Sequence, residues 1–152
     1  MEVGKTQKVQ VDGSKLKIAI VLPYFNEEIG LELLENAQNE LLEYNVRPEN
    51  IEIFRTAGAL EIPFACLKIA EKLKPNAIIT LGVVIRGETA HYDQVCNETY
   101  RGLMDVQIKT GIPISFGVLT CENEKQARAR ASLEGGNKGA HAALSALIQT
   151  TL

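Results

Sequence analysis

The stretch Arg86-Gly87-Glu88-Thr89-Ala90-His91 directly follows an apolar run and carries one of the chain's two histidines. An imidazole placed there suits proton transfer near neutral pH, because its ordinary pKa lies close to that range. The same residues open a helical pattern. Free backbone N–H groups at a helix start, beside a glycine that lets a ligand approach, suit a phosphate or another anion. A histidine at a helix start also fits a plain surface or capping role, and both readings stand at this point. The chain contains neither GxxxxGK[ST] nor GxGxxG, so the stretch is not a P-loop or a dinucleotide fingerprint.

Other residues carry chemistry less directly. Glu61 follows Gly58-Ala59-Leu60 and precedes Ile62-Pro63. It fits equally an acidic first-turn residue favoured by the helix dipole and an acceptor for substrate hydroxyls. Phe25 stands at the end of an apolar run, followed by Asn26 as expected N-cap. It reads either as core or as a face for stacking on a flat ring. Arg128, Arg130 and Lys138 lie along the C-terminal segments, where basic side chains are ordinarily solvated. His141 sits among alanines and reads as structural. Gly135-Gly136-Asn137-Lys138-Gly139 reads as a tight turn between helices, with Asn137 as cap. Cys66, Cys96 and Cys121 are odd in number and widely spaced, so no disulfide framework or metal motif is expected, only reduced thiols.

These residues need elements to hold them. Four segments read as strands: Lys15 to Leu22, Ile51 to Phe54, Asn76 to Ile85 and Pro113 to Leu119. Runs apolar on both faces imply a parallel sheet covered on each side. Between them, Asn26 to Tyr44, Glu61 to Leu73 and Tyr92 to Thr110 show helical spacing, and Asn123 to Ala131 and Asn137 to Thr150 add two more. The alternation predicts an α/β fold: one three-layer α/β/α domain, flavodoxin-like, with a four-stranded parallel sheet and right-handed crossovers. Gln7 to Val11 is a possible orphan strand that would need a neighbouring subunit to pair with. The domain therefore spans 15–152, preceded by an arm over 1–14. Each strand is followed by a polar or glycine-containing stretch, while the opposite loops look like plain turns. That asymmetry puts a binding site at the carboxyl edge of the sheet.

Bulk properties exclude several classes. The 152 residues suffice for one core but not two, and the net charge of −3 argues against nucleic acid as partner. No run approaches the ~18 apolar residues of a membrane span, and the first residues lack an apolar signal core. The expectation is a cytoplasmic protein.

Together these stretches resemble the lumazine synthase family. The likeness runs through Phe25-Asn26-Glu27-Glu28-Ile29, Gly58-Ala59-Leu60-Glu61-Ile62-Pro63 and Leu81 to Tyr92. It continues through Val95-Cys96-Asn97-Glu98, Gly111 to Thr120 and Gly136-Asn137-Lys138-Gly139. The resemblance implies a transferase of riboflavin biosynthesis that uses no cofactor and no metal. It would condense 5-amino-6-(D-ribitylamino)uracil with L-3,4-dihydroxy-2-butanone 4-phosphate, giving 6,7-dimethyl-8-ribityllumazine, phosphate and water. The pyrimidine amine attacks the ketone to form an imine, phosphate is eliminated, and the ribityl-bearing nitrogen closes the second ring.

Carried onto this chain, the resemblance gives Phe25 the pyrimidine face. Ala59, Leu60 and Glu61 take the ribityl chain and ring. Val83, Val84 and Ile85 meet the pyrimidine edge through backbone. Glu88 and Thr89 contact the phosphate-bearing substrate, His91 moves protons, and Arg130 pairs with phosphate. Phe116 and Lys138 match further pocket positions. Phe116 and Arg130 would come from the adjacent subunit. The chain departs from the family at Pro23-Tyr24, often Ser-Arg or Ala-Arg; at Leu60, commonly aromatic; at His141, commonly acidic; and at Ser132, usually Gly. The resemblance further implies homopentamers. The short Ser132 to Gly136 connection fits a shell of twelve pentamers, an icosahedral 60-mer, with riboflavin synthase as a candidate partner. Two other classes fit parts of the pattern: a flavin- or lumazine-binding shell protein with little synthase activity, and a generic flavodoxin-like receiver or nucleotide module.

Overall fold

The computed structural model describes residues 9–152. Strand β1 (Ile18–Pro23) is buried throughout, and β3 (Ala77–Ile85) is buried as far as Val83. Both therefore occupy the centre of the sheet, covered on two faces as their unbroken apolar runs require. Strands β2 (Ile51–Thr56) and β4 (Ile114–Cys121) lie at the edges, in the order β2-β1-β3-β4 with every pair parallel. The chain leaves β1 to one side and returns to the other at β3. The two crossovers diverge there and leave a crevice at the carboxyl ends.

Five helices form the outer layers: α1 (Glu27–Glu43), α2 (Ile62–Leu73), α3 (His91–Thr110), α4 (Glu124–Ala131) and α5 (Lys138–Gln149). Alternate strand residues divide between two cores. Ile18, Ile20, Leu22, Ile79 and Leu81 pack with α1, α4 and α5, whereas Ala19, Val21, Ile78 and Val118 pack with α2 and α3. Helix α3 ends at Gly111 with φ 70°, a left-handed stop that glycine takes freely. Helix α5 approaches α1 closely, since a Cβ at Gly139 would lie 2.1 Å from the Leu33 carbonyl oxygen. Buried Asn36 of α1 donates to the Ala131 carbonyl at 3.1 Å and so fixes the end of α4.

The expected element order is observed, with shifted boundaries. Strand β2 continues to Thr56 and β4 to Cys121, because backbone pairing persists to Pro23–Thr56 and Ile85–Cys121. Arg55, Thr56 and Thr120 thus sit on strands rather than in loops. A ladder carries polar residues that apolar periodicity does not mark. Of the expected arm strand, Gln7 and Lys8 lie outside the described residues, and residues 9–11 have no regular secondary structure. The three cysteines are free thiols. Among the described residues no helix is long and apolar enough to cross a membrane.

Candidate active site

At the carboxyl ends of β1 and β3 lies a cavity of about 440 Å³. Phe25, Ala59, Leu60, Glu61, Val83, Val84, Ile85, Thr89 and His91 all line it. Nine of the expected site residues therefore meet in one hollow, brought from four separate stretches by the crevice between crossovers.

Each wall is held by identifiable bonds. The Phe25 N–H donates to the Ala57 carbonyl at 3.2 Å, and that of Tyr24 to the Thr56 carbonyl at 2.8 Å. The Phe25 side chain is 73% exposed, so it belongs to the mouth of the cavity and not to the core. Asn26 occupies the N-cap position, but it is left-handed (φ 58°) and its side chain does not cap α1. Its Nδ2 instead donates to the Val83 carbonyl at 2.9 Å, tying the Phe25 turn to β3. Asparagine tolerates this backbone region better than most residues. Residues Ala59–Glu61 make one 3₁₀ turn, and Glu61 Oε2 accepts the Gly58 N–H at 3.1 Å. The Glu61 carboxylate thus closes its own turn and at the same time lines the cavity.

The stretch around His91 divides by role. The His91 N–H donates to Thr89 Oγ1 at 3.3 Å. The backbone N–H groups of Gly87 to Ala90 have no hydrogen-bond partner among the described residues. A side chain at Gly87 would meet nothing within 4 Å, so the space beside these donors is open. Four unspent donors before a 20-residue helix favour an anion. Glu88 is exposed and lines no part of the cavity. Arg86 faces away from it. Its Nε bonds Glu122 at 2.8 Å, a terminal nitrogen reaches Asp93 at 3.3 Å, and the guanidinium lies 4.3 Å from the Tyr92 ring centre. The bonds to Glu122 and then Asp93 raise its pKa further. Arg86 is thus a latch between the ends of β3 and β4 and the first turn of α3.

Tyr92 and Val95 also line the cavity, although the residue types alone did not single them out. Val95 stands four residues after His91 on α3, and that spacing was the available signal for it; no such spacing marks Tyr92, the immediate neighbour of His91. Burial raises the Tyr92 pKa, and likewise that of the neighbouring Cys96 thiol.

A second hollow, a trough of about 560 Å³, runs beside β4 and α5. Phe116, Arg130 and Lys138 line this trough, not the cavity. Tyr100 stacks on Phe116 at 5.6 Å between ring centres, and its hydroxyl donates to the Val118 carbonyl. Among the described residues neither Arg130 nor Lys138 makes an ion pair; Arg130 only donates to the Gln126 carbonyl at 3.4 Å. Arg128, two residues earlier, pairs with both Glu28 at 3.2 Å and Glu124 at 2.7 Å. His141 lines the trough one turn after Lys138, a spacing that composition-based reading had passed over. Asn137 precedes α5 in a left-handed conformation without side-chain capping, so its backbone geometry rather than its amide turns the chain.

The chain therefore presents two separate hollows. The cavity offers an aromatic face, a carboxylate, an imidazole and free N–H donors. The trough offers a guanidinium and an ammonium without counter-charges. His91 and Arg130 do not share a hollow within one chain. The family model of 6,7-dimethyl-8-ribityllumazine synthase matches residues 15–152.

Proposed function

The chain belongs to the 6,7-dimethyl-8-ribityllumazine synthase family, a family of transferases that make lumazine in riboflavin biosynthesis, and we propose that it completes each active site by joining the cavity of one subunit to the trough of the next. The substrates in this reading are 5-amino-6-(D-ribitylamino)uracil and L-3,4-dihydroxy-2-butanone 4-phosphate. The observation that carries it is the division of labour just described. The cavity suits a flat polyhydroxylated heterocycle, and the trough carries unneutralised positive charge that suits a phosphate.

The pyrimidine stacks on Phe25 and lies along the Val83 to Ile85 backbone. Glu61 accepts ribityl hydroxyls beside Ala59 and Leu60. The phosphate-bearing substrate meets the Thr89 end of α3, with Glu88 contributing through its backbone N–H. Arg130 of the adjoining subunit supplies a planar fork of donors matched to phosphate oxygens, with Lys138 and Phe116 beside it. His91 moves protons as the pyrimidine amine adds to the ketone and water leaves the resulting carbinolamine to give the imine. Loss of the proton on the neighbouring carbon then expels phosphate with the electrons of its C–O bond, the resulting enol tautomerises to a ketone, and the ribityl-bearing nitrogen adds to that ketone and closes the second ring with loss of a second water. Much of the acceleration comes from holding two substrates in contact.

A ring of five subunits satisfies this head-to-tail arrangement, and the short link between α4 and α5 is compatible with a 60-subunit shell. Light scattering separates the two sizes. The decisive functional assay mixes purified protein with both substrates and follows lumazine absorbance and phosphate release together. Phosphate and lumazine should appear in equal amounts. Binding of a lumazine or flavin without turnover would leave only a container role.

A further inference from the structure

We propose that Arg55 positions the Phe25 ring for the pyrimidine by clamping the turn that carries it, an inference resting on the stacking role assigned to Phe25. Phe25 is 73% exposed, so neighbouring side chains do little to fix its ring. Its orientation must come from the backbone of residues 23–26. Arg55 reaches that turn from edge strand β2. Its Nε donates to the Leu22 carbonyl at 2.9 Å. One terminal nitrogen donates to the Pro23 carbonyl at 3.4 Å and to Glu27 Oε2 at 2.9 Å. The guanidinium carbon lies 4.1 Å from the centre of the Tyr24 ring. A single side chain thus touches residues 22, 23, 24 and 27, on both sides of Phe25.

The chemistry explains why arginine stands there. Pro23 has no N–H and ends the β1–β2 ladder opposite Thr56; beyond it the Tyr24 and Phe25 N–H groups still bond the Thr56 and Ala57 carbonyls, and Arg55 adds the side-chain ties to the carbonyls of residues 22 and 23. A guanidinium is planar and carries donors in a fixed fork, so it can bond two successive carbonyls and a carboxylate while lying on an aromatic ring. Lysine can pair with Glu27 but cannot reproduce that set. Tyr24 provides the ring, and Glu27 provides the charge within the first turn of α1. No contact of Arg55 with the cavity is needed, and it does not line it.

The test is a mutant cycle read in kinetics: wild type, Arg55→Met, Phe25→Ala and the double variant, with Arg55→Lys alongside. Arg55→Met should raise KM for the ribitylaminouracil about tenfold and leave KM for the butanone phosphate within about twofold. In the Phe25→Ala background the same change should have almost no further effect on either constant, because there is no ring left to place. Arg55→Lys should recover less than half of the loss on a logarithmic scale. Melting temperature and assembly size are recorded for every variant, and Arg55→Lys carries the cycle if Arg55→Met does not assemble. Equal effects on both KM values, an undiminished effect in the Phe25→Ala background, or full rescue by lysine would overturn the clamp. If Phe25→Ala weakens the pyrimidine but Arg55→Met does not, the clamp alone fails. If Phe25→Ala changes nothing, the stacking role fails and takes the clamp with it.

Discussion

The cavity at the β1–β3 crevice and the trough beside β4 are built on opposite principles. In the cavity, two polar side chains of the wall are bonded within the chain, Asn26 to β3 and Glu61 to the Gly58 N–H, and the Arg86 latch lies behind His91. In the trough, Arg130 and Lys138 share one hollow with no carboxylate paired to either. Strand β4 is moreover a sheet edge, a feature that proteins ordinarily cover or blunt. The difference is that bonds within the chain hold the side chains Asn26 and Glu61 of the cavity wall, whereas the two cations of the trough have no carboxylate paired to them.

Substitutions on the two sides should therefore fail differently. The largest effect is expected at His91. His91→Ala should lower kcat about 100-fold with both KM values little changed. Turnover should survive, because substrate juxtaposition supplies much of the rate. Total inactivity with both substrates still bound would contradict that division. Arg130→Ala comes next: KM for the phosphate substrate should rise about 30-fold while that for the pyrimidine stays put. Equal weakening of both would erase the contrast between the halves. Added salt should imitate this change in the exposed trough more than in the cavity.

Gly139→Ala probes the support beneath the trough. Its new Cβ would press within 2.1 Å of the Leu33 carbonyl oxygen, so α5 must move. Denaturant unfolding should register a loss of about 1–3 kcal/mol, and the phosphate substrate should suffer before the pyrimidine. A stable variant with both constants intact would show that α5 does not set the trough. At neutral pH the smallest effect concerns the α2–α3 layer behind the cavity. Burial pushes the Cys66 thiol up to about 12 from 9.0. Between those values the unfolded chain loses the proton that the folded chain keeps, so stability must fall as pH rises through that window, and it is fully present below it. The slope is at most about 1.4 kcal/mol per pH unit. Cys66→Ala should flatten this alkaline limb of a urea-denaturation series. An unchanged limb would mean that the thiol is not protected by burial.

Much of the fold was legible because apolar periodicity and turn residues agree along the chain. Ile18 to Leu22 and Ala77 to Val83 are apolar on both faces, and Gly111 stops α3 where its stripe ends. The carboxyl-edge location of the cavity was legible for the same reason, since the odd residues all follow strands. What periodicity does not encode is which strand lies beside which. Phe116 and Val83 sit on paired strands, yet they line separate hollows, one along the β4 edge and one at the carboxyl ends of the strands. Nor does it encode partners of polar side chains. Asn26 looks like a helix cap and serves as a cross-strand tie. Arg86 looks like part of the reactive stretch and serves as a latch. Arg128 and Arg130 are two positions apart on α4, roughly on opposite sides of the helix, and only the position of α1 decides which one is neutralised by Glu28.

The shared site itself is tested most directly by mixing two crippled proteins. A cavity variant, Phe25→Ala with His91→Ala, and a trough variant, Arg130→Ala, are unfolded together in equal amounts and reassembled. If each site takes its cavity from one subunit and its trough from the next, random mixing restores about a quarter of the native sites. Lumazine production should then rise to about that fraction of the wild-type rate. A mixed assembly no more active than the sum of its two parents would contradict it.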